Sequence, residues 1–182
     1  NIEKLILIKP DALFLSPYEQ AGSYQNLDKL GVPIIFCADY MESSSLTRVW
    51  DKNKPMLVFV GLNPSIADES KDDPTIKKCI KFAQYWGYGG FYMLNLFAIV
   101  STDPSVIYSA KDPIGKENDK MLADYSSKVD KVVCAWGNNG SYQGRSKEVL
   151  DALKNKFYIK LNASGEPAHP LFLKGDLKPQ KF

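Results

Sequence analysis

A chain of 182 residues, 45% hydrophobic and 24% charged, has ordinary globular composition and is long enough to bury a sizeable core, roughly 70% of its unfolded surface. Its 23 basic residues stand against 21 acidic ones, so the net charge of +2 leaves any nucleic-acid binding to a local basic patch. No apolar run approaches the ~18–20 residues of a membrane span, and one histidine with three scattered cysteines makes a poor metal-ligand set.

Residues 1–8 contain no basic segment leading into an apolar one, so no signal peptide is expected and the location is read as cytoplasmic. Cys37, Cys79 and Cys134 are odd in number and lack Cys-x-x-Cys spacing. They read as buried thiols in a reducing compartment.

Runs of β-branched and aromatic residues predict strands at 12–15, 34–37, 56–60, 91–96, 132–136 and 157–161. Most are continuously apolar, as in strands buried on both faces of a largely parallel sheet. Between them, Asp73-Pro74 reads as an N-cap followed by proline at the first helical position. Ile76, Cys79, Ile80 and Ala83 follow at helical spacing, Lys77, Lys78 and Lys81 lie off that stripe, and the helix should stop near Gly87. A second helix is predicted over 117–129, on Met121, Leu122, Tyr125 and Val129, and a shorter one over 146–154. Alternating strands and helices imply α/β architecture with right-handed crossovers.

A seam falls at Met41-Glu42-Ser43-Ser44-Ser45. The residues before it read as helix, strand, helix, strand, with Lys9-Pro10-Asp11 and Leu30-Gly31-Val32-Pro33 as punctuation. This stretch resembles an internal piece of the periplasmic binding proteins of iron-siderophore and cobalamin importers. Residues 1–44 are therefore expected to be a βα appendage and residues 45–182 the main domain. On this resemblance alone the chain would be a solute-binding fragment fused to an uncharacterised domain.

Four short motifs carry the chemistry. Gly61-Leu62-Asn63-Pro64-Ser65 follows an apolar strand and puts polar side chains at its carboxyl end, where open α/β sheets bind ligands. A plain strand-to-helix turn capped by Ser65 would explain it equally well. Asn95 is a single amide in an otherwise apolar strand, with both donors and an acceptor for a base edge. It would also suit a bond to a neighbouring loop. Cys134-Ala135-Trp136-Gly137-Asn138-Asn139-Gly140 ends a strand in a glycine-rich turn, for which turn chemistry suffices. His169-Pro170-Leu171 holds the chain's one histidine, a residue more often incidental than catalytic when it stands alone.

Residues 46–182 closely resemble the bacterial and phage family called domain of unknown function 1643. The matching residues include Leu46-Thr47-Arg48-x-Trp50, Phe59-Val60-Gly61-Leu62-Asn63-Pro64-Ser65, Asp72-Asp73-Pro74-Thr75-Ile76 and Phe82-Ala83-x-x-Trp86-Gly87-Tyr88-Gly89-Gly90. They continue with Asn95-Leu96-Phe97-Ala98, Thr102-Asp103-Pro104, Asp112-Pro113-Ile114-Gly115, Ala135-Trp136-Gly137 and His169-Pro170-Leu171.

The order of the motifs is in turn similar to that of uracil-DNA glycosylases. That resemblance implies a three-layer sandwich around a central, mainly parallel sheet. It implies Asn63 as the water-positioning residue, Asn95 as the base reader, and His169 as the histidine beside the base. Gly61, Pro64, Ser65, Trp136 and Gly137 would complete the substrate-binding set. Lys77, Lys78, Lys81 and Arg145 would meet phosphates, although lysines on a helix are usually a solvated face. Tyr85, Trp86, Tyr88 and Phe91 could stack on a base or belong to the core. The chain departs from the efficient uracil enzymes by carrying Asn63 in place of a carboxylate, and Ser65 where they carry an aromatic or glycine. Asn63 cannot take a proton and can only orient water, as in the mismatch-type members. The implied function is a cofactor-free, DNA glycosylase-like hydrolase acting on an unusual or modified base in DNA or a nucleotide. The alternative is a non-catalytic nucleic-acid or nucleotide binding module, which would not need His169.

Overall fold

The computed structural model describes residues 46–65 and 73–182, together with the backbone of two short strands, β1 (Leu13–Leu15) and β2 (Ile34–Phe36). The chain divides into two compact units, Asn1–Met41 and Glu42–Phe182. In the first, β1 and β2 pair in parallel with Leu13 opposite Ile34. The helices expected before and between them, and Cys37, lie outside the described residues.

The second unit is built on a six-stranded sheet. Its strands are β3 (Leu46–Val49), β4 (Met56–Gly61), β5 (Gly90–Asn95), β6 (Val132–Cys134), β7 (Lys156–Tyr158) and β8 (Gln180–Lys181), in the order β3-β5-β4-β6-β7-β8. The pairings β5–β4, β4–β6 and β6–β7 are parallel, whereas β3–β5 and β7–β8 are antiparallel. The sheet expected to be mainly parallel is therefore mixed. The four anticipated strands form its interior, and two strands that hydrophobic patterning does not reveal close its edges. The reason is burial. Interior β4 is apolar throughout because both faces are covered, while β3 alternates half-buried and exposed residues and β8 is an exposed Gln-Lys pair.

Alternation along the strands sorts the core into two clusters, one per face. Leu57 and Phe59 of β4 enter the first, with Phe91, Met93, Val133 and Ala135. Val58 and Val60 enter the second, with Leu94, Cys134 and Trp136. Helix α1 (Pro74–Tyr85) covers the first face with Ile76, Cys79, Phe82 and Ala83. Full burial of Phe82 alone stabilises by ~1.5–3 kcal/mol. The Asp73 carboxylate accepts the Ile76 N–H at 2.8 Å and caps the helix, a contribution of ~1 kcal/mol. Helices α2 (Asn118–Ser126) and α3 (Arg145–Ala152) cover the second face through Leu122 and Val149. Cys79 and Cys134 are buried, which pushes both thiols well above their ordinary range. Among the described residues no helix is long and apolar enough to cross a membrane.

From β4 the chain crosses by α1 on the first face to reach β5. It then passes back beyond β4 to β6 with α2 on the second face, and α3 leads on to β7. Connections leaving the neighbouring strands β4 and β6 thus diverge. Open α/β sheets bind ligands in the crevice outside the carboxyl strand ends at such a switch point.

Candidate active site

Gly61 is the last residue of β4 and lies opposite Asn95, the last residue of β5. Both continue the first-face series, Gly61 from Leu57 and Phe59, Asn95 from Phe91 and Met93. Gly137 follows Val133 and Ala135 on the same series just beyond β6. Three strand ends therefore present one face at one edge, the one covered by α1.

Glycine at position 61 leaves room for the Asn95 side chain. A Cβ there would stand 2.8 Å from Asn95 Oδ1 and 2.7 Å from Met93 Cε. Its absence lets the Asn95 side chain lie across the end of β4. Asn95 is only 6% exposed, and its side-chain amide makes no hydrogen bond to any described residue. Its backbone is held from behind: Asn118 Nδ2 donates to the carbonyls of Asn95 at 3.2 Å and Leu96 at 2.8 Å.

Asn63 is half-buried, two residues past β4. Its Nδ2 donates to the carbonyls of Pro64, Ile99 and Ser101, at 3.1, 3.3 and 2.9 Å. Three carbonyl acceptors fix the amide's orientation, because only its nitrogen can donate to them. The loop after β4 is thereby stitched to the loop after β5, and Asn63 Oδ1 is left as an acceptor for a group from outside the chain. Ser101 N–H donates back to the Pro64 carbonyl at 2.9 Å.

Gly137 has φ +78°, a backbone conformation that favours glycine, and its N–H donates to the Pro167 carbonyl at 2.8 Å. A Cβ on Gly137 would lie 3.6 Å from His169 Cβ, so the end of β6 seats the histidine loop. His169 Nδ1 is enclosed without a hydrogen-bond partner. Burial holds the imidazole below its ordinary pKa of 6.5, against the opposing pull of the Asp73 charge. The ring is neutral at pH 7 and can offer a single N–H.

Sequence patterning did not reveal the second role of Asp73. Besides capping α1, its Oδ2 accepts the Ser65 hydroxyl. The Asp-Pro pair signals a cap, but only folding brings Ser65 to the same carboxylate.

Two expected ligand contacts are corrected. Arg145 was expected among the phosphate contacts with Lys77, Lys78 and Lys81. It is 2% exposed, donates from Nε to the Leu96 carbonyl at 3.0 Å, and pairs with Asp119 and Glu148. Trp136 was expected to bind substrate, yet strand alternation turns its ring to the second face. There it is buried and donates to Glu166 Oε2 at 2.6 Å, leaving Gly137 alone of that pair on the first face. Lys77 and Lys81 are exposed on α1, and Lys78 Nζ lies 5.4 Å from the centre of the Phe82 ring. Of the four aromatics considered for stacking, Tyr88 and Phe91 are core, Trp86 stacks on Phe82 at 5.2 Å, and Tyr85 is 54% exposed. A groove of about 780 Å³ opens elsewhere, between α2 and α3 on the second face, and contains none of Asn63, Asn95, Gly137 and His169. Among the described residues no group of His, Cys, Asp and Glu side chains could hold a metal ion.

Residues 44–171 match the family model described as "Protein of unknown function (DUF1643)". No curated protein and no solved structure matches the chain.

Proposed function

For a chain that belongs to the DUF1643 family, we propose that the Glu42–Phe182 unit is a glycosylase-like hydrolase that cleaves the N-glycosidic bond of an unusual or modified base, in single-stranded or distorted DNA or in a nucleotide. The observation that carries this reading is the Asn95 amide, nine-tenths buried yet unbonded within the protein. The amide keeps both donors and an acceptor for a group that enters the site, and a planar ring presenting a donor beside an acceptor matches them. Bases meet that requirement once extruded into a pocket.

The neighbouring groups fit the chemistry of such a bond. Asn63 Oδ1 orients a water molecule toward the anomeric carbon. As the new C–O bond forms, the C–N bond breaks and its electron pair leaves with the base. The neutral His169 donates its N–H where that negative charge develops, in a site whose geometry is already set. The uracil-glycosylase-like three-layer sandwich belongs to the same proposal, supported by the order of the motifs along the chain and the helices on both faces of the sheet.

The test is release of free base from oligonucleotides carrying uracil, hydroxymethyluracil, hypoxanthine or glucosylated cytosine. The wild type should release at least one of them, and His169→Ala and Asn63→Ala should abolish release while retaining the wild-type circular dichroism spectrum. Absence of release from all four, with DNA binding undiminished in His169→Ala, would replace the hydrolase by a binding module. Absence of DNA binding as well would remove both readings.

A further inference from the structure

Hydrolysis at this cleft leaves one proton to be placed. Water that attacks a carbon must lose a proton, and the Asn63 amide has no basic site for it. Asp73 is a carboxylate bonded to the loop after β4 and near enough for its charge to act on His169. Its Oδ2 accepts the Ser65 hydroxyl, and Ser65 lies two residues beyond Asn63 in the same loop. Its Oδ1 accepts the Ile76 N–H at 2.8 Å, which locks the carboxylate's orientation. The helix it caps packs against Pro170–Phe172, the turn that begins directly after His169. An N-cap needs only the bond to Ile76, so the bond to Ser65 asks for another explanation.

We propose that Asp73, acting through the Ser65 hydroxyl, receives the proton that the attacking water loses and supplies the fixed negative charge of the cleft; this rests on the hydrolase reading. The water oxygen bonds to the anomeric carbon as the glycosidic bond breaks, and the electron pair departs on the base, hydrogen-bonded by His169. The water proton passes to Ser65 Oγ while the Ser65 proton passes to Asp73 Oδ2 along the bond already in place. Asp73 ends neutral, the base ends anionic, and total charge is conserved. The same carboxylate, while charged, favours the cationic sugar that forms as the glycosidic bond loosens. Asp73 is thus a positioning residue that acts on the water through Ser65, and it restores at a different place in the chain the carboxylate that Asn63 replaces.

Two variants separate this role from helix capping. Asp73→Asn keeps an oxygen for the Ile76 N–H, presents an N–H to Ser65 Oγ in place of an acceptor, and removes the charge and basicity. Ser65→Ala keeps the cap and breaks the relay. Both are expected to lower kcat for base release ~10²–10⁴-fold, with KM and the melting temperature close to wild type. His169 is the chain's one histidine, so its proton NMR titration can be followed without assignment. That titration should move to lower pH in Asp73→Asn, where the charge opposing the desolvation is gone, and stay in place in Ser65→Ala. Wild-type kcat in Asp73→Asn overturns the proposal. So does a loss of kcat accompanied by a lowered melting temperature and an unmoved histidine titration, which marks a structural role. A wild type that releases no base removes the hydrolase reading and this proposal together, and the wild-type control distinguishes that failure from the other two.

Discussion

Two sets of polar side chains meet at the end of β5, one on each face of the sheet, and the fold treats them in opposite ways. On the second face Asn118 and Arg145 are 5% and 2% exposed, and both are bonded to main-chain carbonyls of Asn95 or Leu96. On the first face Asn95 is 6% exposed and its amide is unbonded, and His169 Nδ1 is enclosed and unbonded. Buried polar groups are nearly always paired within a folded chain. The paired set is architecture: it pins the strand end from behind. The unpaired set is left open: the Asn95 amide has no partner among the described residues and His169 Nδ1 is enclosed without one, which marks the first face as the side that meets a ligand.

The comparison breaks most visibly at Arg145. Arg145→Met removes the donor to the Leu96 carbonyl and the pairing with two carboxylates, and should lower the unfolding free energy by about 1.5–3 kcal/mol, read from the urea midpoint at unchanged slope. A shift under about 0.5 kcal/mol, the size typical of surface substitutions, would mean that the clamp is not architectural. Asn95→Ala is the opposite case. It removes an amide that has no partner, so stability should change by less than about 1 kcal/mol in either direction while base release is lost. A large destabilisation there would show that the amide is bonded in solution and would erase the contrast between the two faces.

The smallest effect is at His169. Its folded-state pKa lies below 6.5, so between 6.5 and that lower value the unfolded chain holds a proton that the folded chain lacks. The residue's contribution is complete above pH 6.5 and is lost as pH falls through the folded pKa. Melting temperatures measured from neutral pH downward should fall more steeply in the wild type than in His169→Gln. Superimposable curves would indicate a histidine that is solvated rather than enclosed.

Strands β4, β5 and β6 could be read from the chain because burial on both faces leaves a largely apolar run, as in Leu57, Val58, Phe59 and Val60. The edge strands could not, since Leu46–Val49 and Gln180–Lys181 are defined by their partners rather than by their composition. Helix α1 was legible from Asp73-Pro74 and its apolar stripe, because caps and periodicity are local. Arg145 and Trp136 show the limit. A basic residue in sequence looks available to a phosphate, and a tryptophan beside a glycine looks available to a ring. Which face each one reaches depends on the register of a strand or helix against its neighbours.

What the sequence by itself determined is the series of residues at strand ends: Asn63, Asn95 and Gly137 each follow an apolar run closely enough to be placed at the sheet's carboxyl edge or in a loop beyond it. That is a matter of local pattern, for a strand must end where apolar residues give way to turn chemistry. Only the tertiary structure decided that Gly61 clears room for the Asn95 amide, that Ser65 and Asp73 share a hydrogen bond across the loop, and that Arg145 is enclosed behind the strand. Those relations depend on the strand order β5-β4-β6 and on which face each crossover takes, and neither is written in any single stretch of the chain.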